Sequence, residues 1–146
     1  MAMVDISEKR VVFREATAKG TIRLKAETIR LIKEGKIAKG DPLYTAKIAA
    51  VHGAKETSSL IPLCHPLPLT NVEVETRILD DSAVEVTATI KTKAQTGVEM
   101  EALTAVSTAL LTIWDMTKQY EKDKQGQYPT TSIQNIHVVQ KIKRDA

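Results

Sequence analysis

The chain has 146 residues, a net charge of +3, 42% apolar residues and only 3% aromatics, enough length to bury a core but no stacking platform for nucleic-acid bases. The single Cys excludes an internal disulfide and fits a reducing cytoplasm, which is the expected location. No apolar run approaches the ~20 residues of a membrane span, and Asp5, Glu8, Lys9 and Arg10 interrupt any signal-peptide apolar region.

Residues 10–24, rich in Val, Phe, Thr and Ile, predict an extended first strand. Lys25 to Glu34 carries helix formers with Ile29 and Ile32 inward, and Gly35 is a stop signal. Asp41-Pro42 opens a second helix, an N-cap followed by Pro at the first helical position, running through Ala46, Ala50 and Ala54 toward Thr57.

Leu60-Ile61-Pro62-Leu63-Cys64-His65-Pro66-Leu67-Pro68-Leu69 holds three of the five prolines and the only Cys. Proline lacks the amide donor, so this run fits neither a helix interior nor a central strand. It predicts a rigid, mostly buried connection that fixes the Cys64-His65 pair.

Val72, Val74, Thr76 and Ile78 then alternate with charged residues, as do Val84, Val86, Ala88 and Ile90 with polar ones, around the turn Asp80-Asp81-Ser82. Period two with one wet face predicts a hairpin. Residues 98–122 predict a long helix whose Leu103, Val106, Leu110, Ile113 and Trp114 form one buried stripe. A polar loop over 124–131 leads to a last strand with Ile136, Val138 and Ile142 on one side.

The expected fold class is α+β: a ferredoxin-like β-α-α-β-β-α-β subunit, an antiparallel sheet with helices packed on one face. The boundaries are those of a single domain, 1–146. An open sheet leaves edges to pair or cover, which points to oligomerisation.

Opposite the apolar stripe of the long helix stand Glu101, Thr104, Thr108, Thr112, Asp115 and Lys118 at three- and four-residue steps. Small hydroxyls allow close approach by a subunit, a sheet or a ligand, and a buried structural face suits the threonines best. Taken alone, Asp115 and Lys118 read first as a surface ion pair one turn apart. The functional alternative is a general acid/base couple. Glu99 and Glu101 sit where carboxylates offset a helix dipole, and a carboxylate there can also accept paired N–H donors from a guanine-like edge. Cys64 reads as a small buried hydrophobe rather than a nucleophile, and His65 suits binding or proton transfer as well as structure. His52 and His137 share no metal-ligand spacing with Cys64-His65, so no metal site is expected. No glycine-rich phosphate loop occurs, so phosphates would be held by side-chain charges converging from separate elements.

Leu60-Ile61-Pro62-Leu63-Cys64-His65-Pro66, Thr96-Gly97-Val98-Glu99-Met100-Glu101-Ala102-Leu103-Thr104-Ala105 and Leu111-Thr112-Ile113-Trp114-Asp115-Met116-Thr117-Lys118 together resemble the molybdenum cofactor biosynthesis protein C family. Met3-Val4-Asp5-Ile6-Ser7, Arg14-Glu15-Ala16 and Lys39-Gly40-Asp41 resemble it too, so the similarity spans about residues 3–123. The resemblance implies a cyclic pyranopterin monophosphate synthase acting on a small purine triphosphate. Its substrate is the GTP-derived 3′,8-cyclo-7,8-dihydroguanosine triphosphate, its products cyclic pyranopterin monophosphate and pyrophosphate, and the class a phosphorus–oxygen lyase of molybdenum cofactor biosynthesis. It also implies a homohexamer built as a trimer of dimers, with the active site at a dimer interface; the scarcity of aromatics and of long apolar runs points to no nucleic acid or membrane partner.

Carried over by position, Asp115 and Lys118 match the catalytic pair. Leu63, Cys64, His65, Glu99, Met100 and Glu101 match substrate contacts, and Arg14, Lys39 and Lys141 match basic residues around substrate. No cofactor is implied as required, and a divalent metal accompanying the triphosphate would leave no ligand motif in the chain. The sequence departs from the family after Lys141, where Ile142-Lys143-Arg144-Asp145-Ala146 replaces a glycine-rich Gly-Gly-Lys-Ser-like tail; Lys143 or Arg144 stands where tail contacts to phosphate are expected. The rival reading is a non-catalytic nucleotide-binding or assembly protein with the same fold.

Overall fold

The structure, a computed structural model, describes residues 1–145; Ala146, the end of the divergent tail, lies outside them. Its elements in chain order are β1 (Val12–Arg23), α1 (Ala26–Lys33), α2 (Pro42–Lys55), α3 (Thr57–Leu60), β2 (Leu69–Leu79), β3 (Ala83–Ala94), α4 (Glu99–Glu121) and β4 (Ser132–Arg144). The four strands form one antiparallel sheet in the order β2-β3-β1-β4. This is the ferredoxin-like arrangement that the element order predicts, with α2 and α4 layered on one face.

Alternation explains the sheet. Ala16, Ala18 and Ile22 of β1 and Val84, Val86, Ala88 and Ile90 of β3 are fully buried under the helices, while Thr17, Lys19, Glu85 and Thr89 on the other face remain half-exposed. That outer face is laced by polar contacts, including a Thr17–Thr89 hydroxyl bond of 2.9 Å. The β2–β3 turn closes where Asp80 takes φ +44 and its carboxylate accepts from the Ser82 amide and hydroxyl, an Asx-type turn. At the β1–β4 seam the register slips on both sides of Ala18-Lys19. Gly20 is required there: a Cβ would stand 2.8 Å from Ile136 and 3.0 Å from Leu110.

Asp41 caps α2, accepting from the Leu43 and Tyr44 amides at 3.0 and 3.2 Å, with Pro42 at the first helical position. The helix then buries Ala46, Ala50, Gly53 and Ala54 against α4. Small residues bring the axes together. A Cβ on Gly53 would lie 3.1 Å from the Thr104 carbonyl and collide with the Thr108 hydroxyl, which itself donates to Ala49 O across the seam at 3.2 Å. The element approaching the hydroxyl stripe of α4 is therefore α2 of the same chain, at Thr104 and Thr108.

Two further expectations change. The proline-rich run is not mostly buried: Leu60, Pro62, Leu63, Pro66 and Pro68 are exposed and the residues between them only half-buried. From Ile61 to Pro68 the run lies between α3 and β2, outside both regular elements. On α4, Leu103 and Trp114 lie at the margin, while Ala102, Ala105, Ala109 and Met116 complete the buried stripe. Trp114 instead meets Tyr128 edge-on, with ring centroids 5.1 Å apart.

Candidate active site

The candidate residues gather at the two ends of α4. At its C-terminal end Asp115 is held between two lysines. Lys118 Nζ lies 3.1 Å from Oδ1, one turn along the helix, and Lys39 Nζ lies 3.0 Å from Oδ2 and 3.1 Å from the Asp115 carbonyl. These bonds, Lys39's first, hold the Asp115 carboxyl below its ordinary range despite its exposure. The aspartate is thus a persistent anion shared by two ammonium groups. It stands at the end of an open groove of about 610 Å³ between α2 and α4, lined also by His52, Glu56 and Leu111. A second cavity on its other side brings in Lys118, Trp114 and Tyr128. That volume is within the usual range for small-molecule sites.

The N-terminal end of α4 is different. Glu101 is only 3% exposed, and its Oε1 has no hydrogen-bond partner among the described residues. Burial pushes its carboxyl up and the neighbouring Glu99 charge adds to this, while the Glu101 backbone amide opposes them. Glu99 curls back over Gly97, where a side chain would strike its carboxylate, and pairs with Lys141 Nζ at 3.3 Å. Lys141 arrives because β4 pairs with β1, setting it opposite Ala16. Cys64 is close by: burial and then the Glu101 charge push its thiol up, the opposite of an activated nucleophile. Met100 and Leu63 are among the exposed large apolar residues.

His65 and Arg14 belong to this end as well. His65 Nε2 is hydrogen-bonded to Val4 O at 2.8 Å, so the N-terminal segment lies across the imidazole. The same cavity is lined by Asp5, Lys93, Ala94 and Gln95. Arg14 is buried, donating to the carbonyls of Ala94 and Gln95 at 3.2 and 3.3 Å beneath that cavity.

One chain therefore brings together Asp115, Lys118 and Lys39, and separately Glu99, Glu101, Lys141, Cys64, His65 and Arg14. It does not bring Lys39 to Arg14 and His65. Glu101 and Asp115 are about 14 residues apart on a straight helix, or ~21 Å of axial rise. Sequence reasoning missed His52 and Glu56, since α2 meets Asp115 only through tertiary packing. It also passed over Glu121, which is fully buried, although the four-residue steps Ile113, Thr117 and Glu121 put it on the buried stripe. Among the described residues no group of three or more His, Cys, Asp or Glu side chains is arranged to hold a metal ion, and no helix is long and apolar enough to cross a membrane.

Comparison with known proteins connects this arrangement to a family. A profile described as the MoaC family matches residues 3–143. A Pyrococcus horikoshii protein named probable cyclic pyranopterin monophosphate synthase is 57% identical over 141 residues, covering 97% of this chain and 88% of that one. A Sulfolobus acidocaldarius protein of the same name is 55% identical over 97% of this chain and 98% of its own length. A Methanothermobacter thermautotrophicus protein, 57% identical with 97% and 88% coverage, is named probable cyclic pyranopterin monophosphate synthase accessory protein. Matched over nearly its whole length by the family profile and by relatives of more than half identity, the chain belongs to the MoaC family.

Proposed function

We propose that this protein is a cyclic pyranopterin monophosphate synthase of molybdenum cofactor biosynthesis, and that it builds each active site from the two α4 ends of different subunits. The observation that carries this reading is the separation of the functional groups. A nucleotide-sized substrate cannot bridge ~21 Å of helix and still be held tightly at both ends. Bringing the C-terminal end of one α4 to the N-terminal end of another completes the set.

The chemistry uses both halves. Ring opening and pterin closure move protons at ring nitrogens. Lys118, oriented by the Asp115 anion, and Glu101, an acid kept neutral more readily by burial, are suited to opposite transfers. The unpartnered Glu101 Oε1 is a ready acceptor for an N–H edge of the base. A sugar oxygen attacks the α-phosphorus as its bond to pyrophosphate breaks, and Lys39, Lys141 and Arg14 offer positive charge for that step, with His65 a further hydrogen-bonding group. The chain's own cations serve the triphosphate, so no cofactor is assigned.

Exposed apolar side chains support an assembly: Tyr44 and Ile48, one turn apart on α2, and Leu111 on α4. β4 offers the free outer edge of the sheet, with Ile136 and Val139 exposed. The homohexamer, a trimer of dimers, is the oligomer assigned.

Mixing two inactive proteins tests the reading. Lys118→Ala subunits lack a group from one half and Glu101→Gln subunits a group from the other. Refolded together, they form some interfaces with an intact set, and product formation returns. Silence from proven mixed oligomers would refute the shared site. The accessory reading, which the name of one relative favours, requires that purified wild type yield no pyrophosphate unaided.

A further inference from the structure

Asp115 is reached by its two lysines along different routes. Lys118 comes from the next turn of the same helix. Lys39 comes from 76 residues away, with a side chain 42% exposed. A long exposed lysine keeps one geometry only if its backbone is placed well, because the rotamer freedom it gives up opposes the contact.

The backbone around Lys39 is a tight turn, closed by Gly40 N donating to Ile37 O at 3.1 Å, with Ile37 buried. Those features shape the turn. Its position against α4 is set by one more bond: the Ala38 amide donates to the Tyr120 hydroxyl at 2.8 Å. Tyr120 lies in the last turn of α4, and the residue after it is firmly seated. The buried Glu121 carboxylate accepts from the Lys25 amide at 3.1 and 3.3 Å, from the Thr28 hydroxyl, and from the Thr131 hydroxyl at 2.6 Å. Because α1 has no side-chain cap of its own, Glu121 holds the start of α1 and Tyr120 the turn that follows it.

We propose that Tyr120 is a positioning residue: by accepting the Ala38 N–H it sets the Ile37–Gly40 turn so that Lys39 stays on one oxygen of Asp115 while Lys118 holds the other. The inference rests on the reading of Asp115 as a catalytic group. The titratable groups facing Asp115 are Lys39, Lys118, and across the two cavities His52, Glu56 and Tyr128. Of these, only Lys39 is placed through Tyr120.

Tyr120→Phe keeps the ring and deletes the acceptor. Two readouts apply to the assembled enzyme: kcat/KM, and the titration of the Asp115 carboxylate followed by isotope-edited infrared spectroscopy, identified by its loss in Asp115→Asn. In Tyr120→Phe the Asp115 midpoint should rise part of the way toward that of Lys39→Ala, and kcat/KM should fall roughly three- to tenfold, the range one neutral hydrogen bond spans. Combined with Lys39→Ala, Tyr120→Phe should change kcat/KM less than twofold, because the residue it positions is gone. An unmoved midpoint in Tyr120→Phe would overturn the proposal, and so would losses that simply multiply in the double variant. If Asp115→Asn kept normal turnover, the catalytic assignment would fail, yet the midpoints would still decide whether Tyr120 places Lys39.

Discussion

Two carboxylates on one helix live in opposite surroundings. Glu101, in the first turn of α4, is buried with one oxygen unpartnered, and burial favours its neutral form. Asp115, near the other end, is exposed between two ammonium groups, and their bonds favour its charge. Neither difference is intrinsic to Asp or Glu. Each follows from what the tertiary structure delivers: a protein interior to one, and lysines from α4 and the Ile37–Gly40 turn to the other. Groups pushed apart in this way are what a reaction needing both a proton donor and a fixed anion requires.

The sharpest way to break the comparison is to remove the C-terminal pair. Asp115→Asn and Lys118→Ala should each lower kcat by roughly 10²–10⁴-fold, the usual range for a positioned acid or base. Side-chain exposures of 57% and 43% mean little packing is lost, so the melting temperature should move far less than kcat. Steady-state pyrophosphate release and a thermal melt on the same preparation check both. Turnover near wild type in either variant would remove that end of the helix from the chemistry.

Local patterns made the framework legible. Alternation around Asp80-Asp81-Ser82, the Asp41-Pro42 start and the 3.6-residue period after Gly97 each depend on neighbours a few residues apart, and each element formed close to where they indicated. What was hidden depends on distant partners. The Thr108–Ala49 bond spans 59 residues and the Lys39–Asp115 pair 76. Nothing near Lys39 in sequence marks it as an aspartate's partner rather than a free phosphate ligand. The proline run misled in another way. Apolar residues with missing donors suggested burial, but the run lies between α3 and β2 with its prolines at the surface.

Glu121 gives the second test, on stability. Its carboxylate gathers donors from the start of α1, from Thr28 and from the loop before β4. Glu121→Ala leaves those buried donors unsatisfied and opens a void, which should cost ~2–4 kcal/mol in chemical denaturation. Glu121→Gln keeps one acceptor oxygen and should cost less. Equal, small losses from both would show that water replaces the carboxylate at no penalty and that the end of α4 is not fixed by it.

The smallest effect bears most directly on the opposed surroundings. Folding raises the Glu101 carboxyl above its ordinary 4.5, so the folded chain retains a proton that the unfolded chain has released. Stability from this group is complete below pH 4.5 and is lost as pH rises through the higher folded value. Glu101→Gln has no proton to lose. Its melting temperature relative to wild type should therefore climb as pH rises above about 4.5, then level off above the folded value. Asp115→Asn should slope the other way. The folded chain holds the Asp115 carboxyl below 3.8, so its stabilising charge is present above that value and lost as pH falls through the lower folded one. Relative to wild type, the asparagine variant should weaken as pH rises past that window, and added salt should shrink the difference because the lysine contacts are exposed. Glu99→Gln should flatten the Glu101 slope only slightly, since the Glu99 charge is a smaller cause than burial. Parallel slopes for the two variants would mean that both carboxylates experience one environment, and the division of acid and anion along α4 would have to be abandoned.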